Sequence, residues 1–237
     1  MKLIKRLILL IFIILIIATV VIGIYGYLYS REIIEKVPIS SKVTEIRNEP
    51  SFVKIENIPD FYKNATVAVE DHRFYKHSAL DIIGIIRATV TNAKNKEFQE
   101  GGSTITQQVA KNMYFINDNE VVRRKVAEGI VAYELEKNYT KDEILELYIN
   151  IIYFGDGYYG IKEACNGYLK KEPIDMNLSE ATMLAGIPNA PSVYSPTVNK
   201  DLCKKRQKKV IRSMVENEYL TQEEADQLDQ SFIDNIN

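Results

Sequence analysis

The chain contains little of what builds metal centres or disulfide frameworks. Among its 237 residues there are two cysteines and two histidines, and neither a C-x-x-C nor an H-E-x-x-H pattern occurs. His72 and His77 are five positions apart, a spacing that does not place two side chains on one face of a helix. The sequence therefore argues against a histidine-based metal site. Cys165 and Cys203 fit either a disulfide in an oxidising compartment or two small buried apolar side chains.

Signals for β-strands are also few, and the sequence has no internal repeat or low-complexity tract. The formal net charge is −2, which favours no class of partner. Apolar residues instead recur with a helical period, and the T-x-x-E patterns at Thr140 and Thr221 are capping boxes that begin helices. The pattern predicts one mainly α-helical domain, with helices over residues 60–70, 81–93, 104–113, 123–137, 141–150, 178–187 and 204–219.

The first thirty residues predict a membrane anchor. Three positive charges lie among the first six residues, and no charged residue follows from Leu7 to Ser30. A helix needs about 20 residues to cross the hydrocarbon core. The apolar region of a cleaved signal peptide would be about 7–15 residues long with a small-x-small exit, so we favour a retained anchor. The positive flank places the N-terminus in the cytoplasm and the rest outside, where nucleic acid is not an expected partner.

Two polar clusters, residues 70–77 and 101–108, are not typical of packing sequence. Dense polar side chains are costly to bury unpaired, so the clusters predict a site for a polar, anionic ligand. Ser103 or Thr104 can cap a helix. In that helix Gln107 shares a face with Lys111, and Gln108 lies three positions before Lys111, near N–H groups that attract an anion. The competing interpretation is a solvated helix start with a surface pair of glutamines.

Two glutamates lie among apolar residues. Glu128 shares a helix face with Val131 and Leu135, where a carboxylate is costly unless it is paired or functional. A salt bridge to Arg124 is the structural alternative. Glu70 follows an apolar turn and could accept a proton near neutrality. Two carboxylates in such settings are typical of a general base and a charge stabiliser in glycosyl chemistry.

Two further segments keep two interpretations each. The isoleucines at positions 82, 83, 85 and 86 are core or lipid-facing surface, and we expect some of each. The helix predicted over residues 204–219 is basic. It is attracted to anionic lipid heads or substrate phosphates, or it presents a solvated face. Its cations are Lys204, Lys205, Arg206, Lys208, Lys209 and Arg212.

The order of the motifs resembles the penicillin-binding-protein glycosyltransferase family, in its monofunctional peptidoglycan form. The motif E-D-x-x-F-x-x-H-x-G matches residues 70–79, G-G-S-T-I-T-Q-Q residues 101–108, R-K-x-x-E residues 124–128 and K-x-x-I-L-E-x-Y-x-N residues 141–150. A fifth motif, R-R-x-x-V-L-x-x-M, matches less well at 206–214. The departures include Ala79 for glycine, Gln207 for the second arginine and Ile211 for leucine, and they bear on substrate affinity more than on chemistry.

The resemblance implies a mainly α, lysozyme-like fold with two lobes, one of which dips into the membrane. It implies lipid II and the lipid-linked nascent glycan as substrates. Glu70 would be the general base for the acceptor hydroxyl, and Glu128 would assist at the leaving pyrophosphate. No tightly bound cofactor is expected, although a divalent Mg²⁺ or Mn²⁺ ion is compatible with the chemistry. The substrate-binding residues implied are Asp71, Phe74, Arg87, Ser103, Thr104, Gln107, Gln108, Lys111 and Lys125.

These observations divide the chain into four segments. Residues 1–30 are a cytoplasmic stub and transmembrane anchor, 31–51 a polar stalk, 52–220 the glycosyltransferase domain and 221–237 a C-terminal helix and tail. No transpeptidase domain is recognised, so a separate transpeptidase is expected to act alongside. There are two rival functions. One is a lysozyme-like hydrolase or lytic enzyme, which would not need a retained anchor. The other is a catalytically silent cell-wall scaffold, which would not need the two glutamates.

Overall fold

The computed structural model describes residues 2–95, 101–228 and 230–236. These residues are mostly helical and contain no strand, so the mainly α prediction is confirmed. The helices are α1 (Lys2–Lys36), α2 (Ile39–Arg47), α3 (Asp60–Glu70), α4 (Ile82–Asn95), α5 (Ile105–Tyr114), α6 (Val121–Asn138), α7 (Lys141–Ile151), α8 (Gly160–Ala164), α9 (Leu178–Gly186), α10 (Pro191–Tyr194), α11 (Lys200–Glu216) and α12 (Gln222–Asp226).

Helix α1 has the length and composition of a membrane span. Its most apolar window has a mean hydropathy of 3.5, and among the described residues it is the one helix long enough and apolar enough to cross a bilayer. The segment predicted as a polar stalk, residues 31–51, is largely helical, because residues 31–36 continue α1 and α2 follows directly after Pro38. Ion pairs one turn apart, with Lys36 Nζ 2.6 Å from Glu32 Oε1, favour the helix there.

Polar caps fix where the central helices begin. The Thr104 hydroxyl accepts from the backbone N–H of Gln107, whose side-chain oxygen accepts from the N–H of Thr104. This capping box satisfies N–H groups that a helix start otherwise leaves unpaired. Thr104, rather than Ser103, therefore caps α5. The predicted box at Thr140 is confirmed at the start of α7, and an asparagine cap starts α11 four residues before its predicted beginning.

Two groups of helices build the core. Helix α5 packs against both α6 and α7, while α3, α9 and α11 pack against one another. Ile105, Val109, Leu135 and Ile144 are fully buried in the shared core. Burying each such side chain contributes roughly 1.5–3 kcal/mol relative to leaving it exposed. The two groups meet where α3 ends, which is the position of Glu70.

Two ambiguous features are resolved by burial. Cys165 and Cys203 are both buried and free, so the interpretation as small apolar side chains is confirmed. The isoleucines of α4 are all exposed, from Ile85 at 38% to Ile82 at 61%, and the expectation that some lie in the core is wrong. Helix α4 rests instead on Ala88, whose small side chain is buried. An apolar surface of this kind is typical of a membrane or protein contact.

Candidate active site

A cleft of about 780 Å³ lies between the two groups of helices. It joins the end of α3 to α5, α6 and α11, and Arg87 of α4 reaches its wall. Two tyrosines, Tyr153 and Tyr159, line it from the loop after α7, with ring centroids 4.7 Å apart. The charged residues of its wall are Glu70, Arg87, Lys111, Lys125, Glu128, Arg206, Lys209 and Glu216.

Glu70 combines burial with one uncommitted oxygen. Its side chain is 9% exposed. Gln108 Nε2 donates to Glu70 Oε2 at 3.0 Å, whereas Oε1 has no hydrogen-bond partner among the described residues. The guanidinium of Arg206 places Nη2 3.5 Å from Oε1. A carboxylate oxygen that is held in place but free to accept a hydrogen bond is suited to general-base chemistry.

Arg206 lies beside Glu70 in the cleft, a contact that the sequence did not predict. Its Nε donates to the carbonyl of Gly186 at 3.2 Å, and its guanidinium lies 5.6 Å from the centroid of the Tyr194 ring. The side chain is 6% exposed. The signal was present in the fifth motif, which keeps this arginine, but the pairing with Glu70 joins residues 136 positions apart.

The departure at Gln207 lies outside the cleft wall. Its side chain is fully buried, and its Nε2 donates to the carbonyl of Ser179 and to the hydroxyl of Thr182. The missing second arginine of the motif is therefore replaced by a packing contact between α11 and α9. This departure does not remove a charge from the cleft.

Glu128 is held by two cations. It is fully buried, with Arg124 Nε 3.2 Å from Oε1 and Lys125 Nζ 2.6 Å from Oε2. Lys125 Nζ also donates to the hydroxyl of Ser103 at 3.1 Å. The alternative of a salt bridge to Arg124 is thus confirmed, and the same carboxylate also lines the cleft. Because both oxygens face cations, the geometry here does not fit a divalent ion bound to Glu128.

The cleft carries more positive than negative charge. Arg87, Lys111, Lys125, Arg206 and Lys209 give five cations among the described residues of its wall, against three glutamates. A concave surface with excess positive charge attracts anionic ligands and stabilises negative charge that develops during a reaction. Arg206 and Lys209 come from the basic helix, so part of that helix faces the cleft rather than solvent.

The predicted binding residues divide into two sets. Six of them line the cleft: Arg87, Ser103, Gln107, Gln108, Lys111 and Lys125. Three others, Asp71, Phe74 and Thr104, are buried and do not line it. Their contacts in the structure are internal, because Phe74 belongs to the core and Thr104 Oγ1 donates to the carbonyl of Ala79 at 2.8 Å.

Asp71 links the first motif to the start of α5. Its Oδ2 accepts from the backbone N–H of Ile105 at 3.1 Å, and its Oδ1 lies 2.7 Å from His77 Nε2. Burial lowers the pKa of His77, but the hydrogen bonds to Asp71 and to the carbonyl of Ser78 outweigh it, so that the pKa is raised. His72, by contrast, lies 2.7 Å from Arg87 Nη1, and burial and that guanidinium lower its pKa.

Two carboxylates and a histidine lie close together in and just after the first motif. One ligand atom from each of Asp71, His77 and Asp81 falls within 4.8 Å of the others. The spacing argument from the sequence assumed a helix, whereas these residues follow a turn. Their oxygens are already engaged, since Asp71 accepts from the start of α5 and Asp81 Oδ2 lies 3.2 Å from Arg73 Nε. Geometry alone does not make this group a metal site.

Comparisons with known proteins agree with the motifs. The family model described as Transglycosylase matches residues 38–215. Penicillin-binding protein 1A of Neisseria lactamica is 45% identical over 176 residues, which cover 74% of this chain and 22% of that protein. A Cupriavidus necator protein named as a transglycosylase is 42% identical over 181 residues, which cover 76% of this chain and 78% of that protein.

A solved structure is also similar, at a lower level. Penicillin-binding protein 1A from Haemophilus influenzae matches 74% of this chain and 16% of that chain, with a TM-score of 0.44 and 22% identity. That likeness is too low to carry an argument about the fold. The chain spans about a fifth of the length of the penicillin-binding proteins it matches, 22% for the Neisseria protein. The family model and the relatives nevertheless cover most of the chain, including both glutamates of the cleft. The chain therefore belongs to the transglycosylase family, the peptidoglycan glycosyltransferases that its ordered motifs predict.

Proposed function

We propose that this protein polymerises lipid II into glycan strands at the outer surface of the cell membrane. The observation that carries the proposal is the cleft, in which one oxygen of Glu70 accepts no hydrogen bond from the described residues while Glu128 lies between Arg124 and Lys125. One wall can therefore accept a proton, and another holds positive charge for a phosphate-bearing leaving group. Inverting glycosyl transfer needs both functions.

In the proposed reaction Glu70 takes the proton from the 4-hydroxyl of the acceptor, a lipid II molecule. The hydroxyl oxygen attacks the anomeric carbon of the lipid-linked donor glycan, and the bond from that carbon to the pyrophosphate oxygen breaks. The configuration inverts from α to β, and undecaprenyl pyrophosphate leaves with the bonding electron pair. Gln108 orients Glu70 through its hydrogen bond, since a base must lie within hydrogen-bond reach of the proton that it removes.

Negative charge grows on the pyrophosphate as the bond breaks. Lys125 and Ser103 are linked by a 3.1 Å hydrogen bond at this part of the wall, and Arg87 and Lys111 add positive charge. We assign these four residues to donor binding. Glu128 acts through Lys125, whose ammonium group it holds at 2.6 Å. Preorganised cations stabilise the transition state because they need not rearrange when the charge develops.

The membrane context fits a lipid-linked substrate. Helix α1 is a candidate span, and the exposed isoleucines of α4 lie beside Arg87 of the cleft wall. We place the N-terminus in the cytoplasm because positive charges precede the apolar run. The cleft then lies outside the cell and close to the bilayer, where a substrate with an undecaprenyl chain must be held.

The test is polymerisation of purified lipid II by the full chain in detergent or vesicles. We expect glycan polymer from the wild type and a loss of at least about 10²-fold in rate for Glu70→Gln, since an amide cannot take the proton. Glu56→Gln is the matched control, because Glu56 is exposed and lies outside the cleft. Polymer formed by Glu70→Gln at the wild-type rate contradicts the mechanism.

Two additions to the assay separate the rival functions. Release of soluble muropeptides from purified sacculi would favour a hydrolase, and no product in either assay would favour a scaffold. A parallel reaction with EDTA decides whether a divalent ion assists.

A further inference from the structure

Helix α1 continues beyond the length that a bilayer needs. Counting about 20 residues of hydrocarbon span from Leu7 brings the chain to Gly26, which is expected at the outer edge of the membrane. Ten more residues of the same helix follow, up to Lys36. Tyr25, Tyr27 and Tyr29 lie in this region, where aromatic side chains are common at membrane interfaces. The helix is thus rigid across the boundary between membrane and catalytic domain.

This part of α1 packs on α6. The buried stripe recurs every three or four residues, at Gly26, Ser30 and the partly buried Ile33 and Ile34, which is one face of a helix. Gly26 permits the closest approach, because a Cβ atom there would lie 2.5 Å from Val126 of α6. Such a distance is far inside van der Waals contact, so no other residue fits without moving a helix.

A polar cluster also stabilises the contact between α1 and α6. The guanidinium of Arg123 lies 3.9 Å from the centroid of the Tyr29 ring and donates to the hydroxyl of Tyr25 at 3.4 Å. Asp118 holds the other side of the guanidinium, with Oδ1 3.3 Å from Nη2. An arginine over an aromatic face is worth about 0.5–2 kcal/mol. Arg123 therefore joins α1, α6 and the loop before α6.

The opposite side of α6 faces the cleft. Val126 and Glu128 are two positions apart, which turns a helix by about 200°. Lys125 and Glu128 line the cleft while Val126 contacts the anchor, so the anchor supports the back of the helix that holds the positive wall. Displacement by as little as about 1 Å of a group that positions substrate can cost about 10²-fold in rate.

We propose that the outer half of the anchor is a positioning element of the active site, in which Gly26, Tyr29 and Arg123 set the place of Lys125 and Glu128 relative to the bilayer. The anchor is then more than a tether. Its catalytic consequence rests on the proposed function, whereas the docking itself does not. The positioning residues act through α6 and do not touch substrate.

The test compares Gly26→Ala with Gly23→Ala in the full chain in phosphatidylglycerol vesicles. Both changes raise helix propensity by about 1 kcal/mol, but a Cβ at Gly23 meets nothing within 4 Å. We expect Gly26→Ala to lower kcat for lipid II about tenfold and to raise its KM, because the displaced positive wall also binds the pyrophosphate, and Gly23→Ala to change neither. The double variant Gly26→Ala/Val126→Gly removes the clash and should recover most of the rate, which general destabilisation cannot explain.

A second readout follows the docking itself. The chain has no tryptophan, so Tyr29→Trp introduces a single tryptophan, beside Arg123, whose emission can be followed separately from that of the tyrosines. Gly26→Ala should shift its emission to longer wavelength and expose it to acrylamide, and Gly23→Ala should not. An emission shift with unchanged kcat overturns the proposal, as does identical behaviour of the two alanine variants.

The outcomes separate the inference from the proposed function. If the wild type makes no polymer, the proposed function fails. The inference is then decided by two measurements: the tryptophan emission of the Gly26→Ala and Gly23→Ala variants, and the binding of farnesyl pyrophosphate in the same vesicles. Gly26→Ala must weaken that binding while Gly23→Ala leaves it unchanged, and equal affinities overturn the inference.

Discussion

Glu70 and Glu128 share one cleft but differ in what surrounds their oxygens. Glu70 has an amide at 3.0 Å on one oxygen and a guanidinium at 3.5 Å from the other, which has no hydrogen bond among the described residues. Glu128 has a cation on each oxygen, at 3.2 and 2.6 Å, and no exposed surface, and its Oε1 likewise has no hydrogen bond among the described residues. The difference is therefore in the number of neighbouring cations, which is one for Glu70 and two for Glu128.

The difference suggests that Glu70 serves mainly the chemistry, whereas Glu128 also supports the structure of the cleft wall. Loss of the Glu70 charge removes a base and leaves one cation, the buried Arg206, without its carboxylate. Loss of the Glu128 charge leaves two cations without their buried partner, which destabilises a fold. The two residues should therefore respond differently in activity and in stability.

The largest expected effect is a split between Glu70→Gln and Glu128→Gln. Both should lose at least about 10²-fold in polymerisation rate. Glu128→Gln should lower the free energy of unfolding more than Glu70→Gln, by about 1–3 kcal/mol, because it leaves two cations rather than one without a carboxylate. Urea denaturation of the two variants beside the wild type measures the difference. Equal midpoints for both variants would remove the distinction between the two glutamates.

A smaller effect is expected when the cation near Glu70 is removed. Arg206→Met should lower kcat about tenfold, because the guanidinium no longer orients Glu70 Oε1. Arg206→Lys should recover part of the rate, since it restores the charge without the planar fork. Lys205→Met is the matched control, being the exposed neighbour on α11. A control variant as slow as Arg206→Met would show that the basic helix, rather than this contact, sets the rate.

The smallest effect concerns stability and pH. The pKa of His77 is raised in the folded protein, so protonated His77 stabilises the fold fully below its ordinary pKa of 6.5, and that contribution is lost as pH rises through the folded pKa. We expect the melting temperature of the wild type to fall over this range relative to that of His77→Gln. Thermal scans from pH 6 to 8 measure this, and parallel curves for the two proteins would contradict it.

Local features of the site could be predicted from the sequence. The helix that ends at Glu70 and the capping box at Thr140 depend on neighbouring residues, and both are confirmed. The choice of Thr104 over Ser103 as the cap of α5 required the backbone, since either hydroxyl is suitable. Asp71 and Phe74 share a motif with Glu70, but their burial depends on α5 and the core, which sequence spacing does not reveal.

Long-range contacts could not be predicted. The approach of Arg206 to Glu70 requires α11 to pack on α3, and no local pattern states which face of α11 does so. The isoleucines of α4 form an apolar run that is compatible with core or with lipid contact, because hydrophobicity favours both environments over water. The polarity of residues 31–51 does not reveal a helix, although ion pairs between helical neighbours such as Glu32 and Lys36 maintain one at the start of this segment.

The burial of both cysteines has a practical consequence for topology mapping. Thiols react as thiolates, and burial raises the pKa of Cys203 to about 12 and that of Cys165 further still. The native chain therefore offers a nearly silent background to maleimide reagents. A single cysteine introduced on the exposed face of α4 would report, by its labelling in intact cells, on which side of the membrane that face lies and whether lipid shields it.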